Sequence, residues 1–322
     1  MGRLRPVLYS LSAGLILVYY SESLFWSGLN RPFVPLDLFY TWLVYSLVGY
    51  LALRLAAHCR VQTAAGWFLV GAVYGWLAEG VIVQTLYQAL PISLSWTGLG
   101  WHAPFALVIG WFWMRRWLRR GWLATVGGAI LIGCLQGFWS LGWWQEALID
   151  PTAAAADLPS LVISNSVFGL LLMLGYIGVD RPTGEAVVPG RLGLLIGGGL
   201  LAAWFIGVTV PVMPVALVVL PACLLPVVWI LRRGRRLDPV PVSRAQPPLA
   251  RYLLILLIPI IASGIYALLS EARLEMQAVF GILLIPLGFI LLAVSLWRVW
   301  RETATPAPAA PASRVGSSAG AR

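Results

Sequence analysis

Lysine is missing from this chain of 322 residues, histidine occurs twice, cysteine three times, and charged residues of all kinds make up only 11% of it. Each shortage excludes something. A soluble domain carries about 25% charge. A chain at less than half that level, 60% hydrophobic and with a mean hydropathy of +0.86, is not one. Cys59, Cys134 and Cys223 stand far apart, without metal-ligand or disulfide spacing, and two of them fall inside apolar runs; they read as small packing residues. Two histidines at unsuited depths do not make a paired haem site. No HExxH, GxSxG, P-loop or dinucleotide fingerprint occurs, so neither a metal nor a cofactor is expected.

What the chain does have is apolar runs near the length that crosses a hydrocarbon core. The expected fold class is all-α: a polytopic integral membrane helix bundle of about ten spans, near 6–22, 37–57, 64–88, 98–118, 122–144, 158–179, 192–211, 213–231, 252–270 and 277–297. The seventh and eighth are joined by a very tight turn. The expected location is the inner or plasma membrane of the cell, with the lipid bilayer as the partner. The first run follows a basic start, as in a secretory signal, but no small-x-small cleavage site follows it, so it is read as an uncleaved span. Pro6 argues against an N-terminal myristoylation signal.

Arginine supplies the net charge of +10. In a soluble protein that balance would raise nucleic acid as a partner. Here the arginines cluster between apolar runs, so they read as topology signals and nucleic acid is not expected. Placing both termini inside puts Arg3, Arg5, Arg54, Arg60, Arg115, Arg116, Arg119, Arg120, Arg181, Arg191, the run from Arg232 to Arg251 and the closing arginines on the cytoplasmic side. Only Arg31 and Arg273 are left outside. Glu146, Asp150, Asp157, Glu271 and Glu275 then fall in outer loops, Asp37 opens the second span, and all six read as solvated or interfacial.

The chain divides by composition. Residues 1–179 hold six spans and most of the aromatic content: 13 of the 17 tryptophans precede residue 150. Residues 192–297 are Leu-, Val- and Ile-rich with internal Pro221, Pro226, Pro259 and Pro286, and read as a kinked apolar scaffold. Five spans per half would suit an inverted repeat, but no matching pattern relates the halves. Residues 232–250 form a basic, Pro-rich linker suited to anionic lipid headgroups. Residues 303–322 read as a disordered low-complexity tail.

One stretch points to a site. Within 71–105, Glu79 and His102 are expected at one depth. Glu79 stands about 22 Å from the start of the third span and His102 about 6 Å from the start of the fourth, in a core about 30 Å thick. Gln136, Asn165 and Glu22 fall near the same layer, five side chains from five helices. Gly71 and Gly75, like Gly133 and Gly137, are spaced to let helices approach. A carboxylate among apolar residues needs a partner or a purpose. The purpose expected here is acid–base chemistry by Glu79, His102 and Glu22 on an amphipathic or lipid-like molecule, with Trp76, Tyr87, Trp101, Gln136 and Asn165 as binding residues. Two other readings stand beside it: a proton-coupled or facilitative transporter of ten helices, and an accessory membrane subunit. A Glu–His pair can also simply tie helices, worth about 0.6 kcal/mol on average. Trp96, Trp139, Trp143 and Trp144 fit an interfacial belt, and His58 sits among arginines at the inner face.

Overall fold

A computed structural model of the chain describes residues 5–25, 35–145, 148, 157–180, 191–234 and 246–304. The tail beyond 304, the middle of the basic linker, and the positions of Arg31, Glu146 and Asp150 lie outside the described residues.

The described residues form ten long helices and no strand. Lipid offers no hydrogen-bond partner to an exposed backbone, so a chain this apolar must satisfy its amides within each segment. The first helix, α1, runs Arg5–Val18 and closes in a π-wound turn, Tyr19–Ser23. Next come α2 (Pro35–His58) and α3, which runs Ala64–Leu77 and ends in a second π turn, Ala78–Ile82. The fourth, α4, is π-wound over Leu94–Trp113 and finishes as Met114–Arg120. Pro104 lies inside it and has no N–H to give. Then follow α5 (Trp122–Ser140), α6 (Leu158–Asp180), α7 (Arg191–Trp204 with a π turn, Phe205–Thr209, and Val210–Val212), α8 (Ala216–Gly234), α9 (Leu249–Ala272, with 3-10 turns at Leu253–Leu256 and Ser270–Ala272) and α10 (Met276–Ala304).

Eight of these are long and apolar enough to cross a membrane; α1 and α4 are the two that are not. The expectation of about ten spans is therefore met at the level of ten helices, eight of them apolar enough. The physical reason is position. Ile16, Leu17, Tyr19 and Tyr20 on α1, and Leu99, Trp101, His102 and Ala106 on α4, are at most 2% exposed. A helix enclosed by other helices meets protein instead of lipid, and so admits Tyr, Trp, Ser, Glu and His. The outermost helices show the opposite: α7 and α10 bury only 17% of their apolar windows, against 78% for α3.

Helix ends differ most from expectation at three places, one of them α10, which runs on to Ala304 beyond the expected 297 and into the stretch expected to be a disordered tail. The third span is expected to reach residue 88, but α3 stops at Ile82, because Gln84 adopts a left-handed backbone (φ 67°) that no α-helix continues through. The fourth begins at Leu94, earlier than 98.

Helices α3 and α4 pack closely because of the glycines. A methyl on Gly71 would lie 2.6 Å from Ala103 Cα, and one on Gly75 would lie 2.7 Å from the Gly98 carbonyl oxygen and 3.0 Å from His102 Cβ. Gly133 and Gly137 play the same part for α5 against Ile261 and Ile265 of α9. Helix α10 closes over α3 and α4, where Ser95 donates to the Ile285 carbonyl at 2.6 Å.

Candidate functional site

Three of the chain's π turns carry the polar residues that meet. Ser21 and Glu22 sit on the last turn of α1, Glu79 on the last turn of α3, and His102 on the π-wound part of α4. Such turns are concentrated at functional sites. His102 Nε2 lies 2.8 Å from Glu79 Oε1, His102 Nδ1 lies 3.1 Å from the Ser21 hydroxyl, and that hydroxyl lies 2.9 Å from the Tyr74 hydroxyl. The other Glu79 oxygen accepts from Thr85. Glu79 is 6% exposed and His102 2%.

One assignment of hydrogens satisfies every group. Tyr74 donates to Ser21, Ser21 to His102 Nδ1, and His102 Nε2–H to Glu79, which accepts Thr85 on its second oxygen. All the donors then run toward one carboxylate, with a neutral imidazole beside it. In the other tautomer, Nδ1–H donates to a Ser21 hydroxyl turned toward Tyr74, and Nε2 accepts from a protonated Glu79.

Glu22 reaches this layer through Tyr45 of α2, whose phenol donates to Glu22 Oε1. The Tyr45 ring centre stands 6.4 Å from the His102 ring and 6.1 Å from that of Tyr74. Glu22, Glu79 and His102 are thus gathered at one end of the bundle, as their depths suggested.

Gln136 and Asn165 belong to a second chain. Tyr19 donates to Gln136 Oε1 at 2.6 Å, Gln136 Nε2 to Asn165 Oδ1 at 3.1 Å, and Asn165 Nδ2 to Ser263 at 3.1 Å. This chain links α1, α5, α6 and α9, and its members bond to one another instead of to Glu79 or His102. The remaining residues named from the sequence are held by protein. Trp76 donates to the Leu94 carbonyl at 2.9 Å and Tyr87 to the Gly80 carbonyl at 2.7 Å. Trp101, 1% exposed, donates to the Tyr20 carbonyl at 3.0 Å, its ring within 5 Å of those of Phe25, Phe105 and Trp139. His58 is exposed at the end of α2.

Beyond Glu79 the chain folds back over the carboxylate. After Gln84 a 3-10 turn, Thr85–Tyr87, presents Thr85, and Ser93 ties down the far side by donating to the Leu86 carbonyl at 2.7 Å. Ser21, Tyr45, Tyr74 and Thr85 are the members that sequence reasoning missed. Hydroxyls are common in membrane helices, and only the adjacency of Ser21 to Glu22 was a usable signal.

A second missed cluster lies at the arginine-rich end. Asp180, its side chain 1% exposed, accepts Arg115 through Nε at 2.9 Å and Nη2 at 2.7 Å, Arg119 at 2.6 Å, and Tyr252 at 3.3 Å. Arg115 and Arg119, read as topology signals, also tie α4 to α6. Among the described residues no group of three His, Cys, Asp or Glu side chains is placed to hold a metal ion.

Compared with protein-family models, curated proteins and solved structures, the chain has no match to any of them.

Proposed function

We propose that this multi-pass membrane protein carries an intramembrane acid–base site, Glu79 with His102 and with Glu22 beside them, that acts on an amphipathic or lipid-like molecule. The observation that carries the reading is the hydrogen-bond chain from Tyr74 through Ser21 and His102 to Glu79. A tie between two helices needs one such bond; a chain that exchanges donor and acceptor roles along its length is what proton movement needs. Glu79 is the proton-exchanging group, His102 its partner, and Ser21 and Tyr74 orient the imidazole. The arginine bias puts Asp180 and its partners on the cytoplasmic side and this layer in the outer leaflet of the cell membrane.

Transport is the weaker reading. Between the layer and the Asp180 cluster the interior is filled by Ile16, Leu17, Leu69, Ala72, Ala106 and Leu107, each at 0% exposure. That band, which contains the Tyr20–Tyr176 hydroxyl pair, favours chemistry or binding at one end over passage through the bundle.

The test is Glu79→Gln, which keeps the size of the side chain and removes its proton. The purified protein and the variant are placed in vesicles of a bacterial polar lipid extract, and the lipids are profiled by mass spectrometry. The wild type is expected to alter or retain particular lipids and Glu79→Gln to do neither, with thermal stability within a few degrees. Equal lipid profiles together with a lower melting temperature for the variant would make the pair a helix tie.

A further inference from the structure

The water-facing end of the site is sewn shut. Thr85, Tyr87, Ser93 and Trp76 all bond across the segment that folds over Glu79. The lipid-facing side is different. There the seam between α2, which carries Tyr45, and α3, which carries Glu79, is covered by α7, joined to α8 on the α3 side in a hairpin closed by a tight turn at Met213–Ala216. Most of the hairpin's apolar surface faces outward: α7 buries 17% of its apolar window and α8 22%. Its fixed end is on α10, where Arg233 of α8 lies over the rings of Trp229 and Trp300.

Its path crosses the seam. In its first half α7 lies on the middle of α2, where a methyl on Gly197 would come 2.9 Å from Leu47 Cδ1. Some 18 Å further along, at about 1.5 Å per residue, Thr209 of the same helix lies on α3 and donates to the Val81 carbonyl at 2.8 Å. Leu220 of α8 packs on Gly80 next to it. Val81 belongs to the π turn that carries Glu79, and its carbonyl is among the last of α3, which have no partner within their own helix. Thr209, 0% exposed, supplies that partner.

We infer that the α7–α8 hairpin is a movable cover latched by Thr209 on Val81, and that the site takes a bilayer-resident molecule entering sideways between α2 and α3. This rests on the acid–base reading above and adds the route and the phase from which the substrate comes. The energetics suit it. Apolar contacts between helices are exchanged for equally apolar contacts with lipid tails, so parting them carries no hydrophobic penalty. The hydrogen bond of Thr209 is the directional part of the closure. Pro221 and Pro226 inside α8 remove backbone donors and ease its bending.

The experiment reads access to Glu79 directly. Full-length protein in phosphatidylcholine vesicles, with Cys59, Cys134 and Cys223 replaced by Ala, is treated with dicyclohexylcarbodiimide, which partitions into lipid and modifies protonated carboxyls. Modification of Glu79 is followed by peptide mass spectrometry, with a water-soluble carbodiimide in parallel. Thr209→Val is expected to speed modification by the lipid-soluble reagent about fivefold, the worth of one hydrogen bond, and Thr209→Ser to leave it unchanged. The pair Leu47→Cys and Gly197→Cys, joined by a short reducible bis-thiosulfonate, is expected to slow it several-fold until reduction. Removal of the Leu47 side chain leaves room for the new one at 197. Equal rates before and after reduction, or faster modification by the water-soluble reagent, would overturn the cover and leave the Glu79→Gln lipid result standing. If neither reagent modifies Glu79 in any variant, the cover falls and the acid–base reading falls with it.

Discussion

The Tyr19 hydroxyl donates to Gln136 at 2.6 Å across 117 positions of sequence. Two residues further along the same π turn, Ser21 meets His102. One turn of α1 therefore serves two polar chains, one tied to α5, α6 and α9 and the other to α3 and α4. The first ties four helices together and the second holds the proposed site, so the two should respond differently to substitution.

Gln136→Leu removes the link between Tyr19 and Asn165 and leaves both with an unmet group. The expected loss is about 1–2 kcal/mol, the cost of leaving buried polar groups without partners, measured by unfolding in mixed micelles. Modification of Glu79 by the lipid-soluble carbodiimide should not change. A matching change in Glu79 reactivity would join the two chains into one.

Asp180→Asn takes the charge from a carboxylate that holds Arg115 and Arg119. Breaking a buried pair costs about 3–5 kcal/mol. Here the guanidinium side chains are 17% and 22% exposed and reach some solvent, so about 3 kcal/mol is expected from the same unfolding measurement. Asp180→Asn combined with Arg115→Leu should recover part of it.

Gly75→Ala places a methyl 2.7 Å from the Gly98 carbonyl oxygen and 3.0 Å from His102 Cβ. Helix α4 must move outward, at about 1–3 kcal/mol for an overpacked contact, and His102 moves with it, so the variant should lose stability and lipid response together. Gly127→Ala on α5, with nothing within 4 Å, is the control: it should be neutral, or stabilising by up to about 1 kcal/mol.

Asp157, just ahead of α6, accepts the Ser160 backbone N–H at 2.7 Å. Hydrogen bonding from Ser160 holds this exposed carboxyl below the usual aspartate range. A depressed folded value means that the cap stabilises the helix fully above the ordinary aspartate value, about 3.9, and is lost only as pH falls through the lowered one. Protection of the Ser160 amide, its exchange rate taken relative to the intrinsic rate at each pH, should therefore be high at pH 5 and be lost in acid as pH falls through the lowered value, and Asp157→Ala should remove it throughout. Asp157, read as a solvated loop residue, thus has a local capping role.

The depth argument from sequence succeeded for Glu79 and His102 and grouped Gln136 and Asn165 too broadly. Rise along a helix is nearly constant, so counting residues yields height. Direction around the axis does not follow as simply. A π turn inserts a residue and rotates everything beyond it by about 100°, and both Ser21 and Glu79 stand on such turns. Tyr45 and Thr85 were invisible for a related reason: one lies mid-span among apolar residues and the other reaches Glu79 only after the chain reverses at Gln84.

Run length and apolarity alone determined that this is a bundle of membrane helices, because a bilayer admits few other solutions. The positions of Glu79 and His102 along their helices determined that they share a height. Only the tertiary packing decided that they touch, that Gln136 belongs to another chain, and that the second half of α1 and most of α4 sit inside. Those outcomes depend on which faces the helices turn toward one another, and that is set by glycine contacts and π turns acting between segments far apart in the chain.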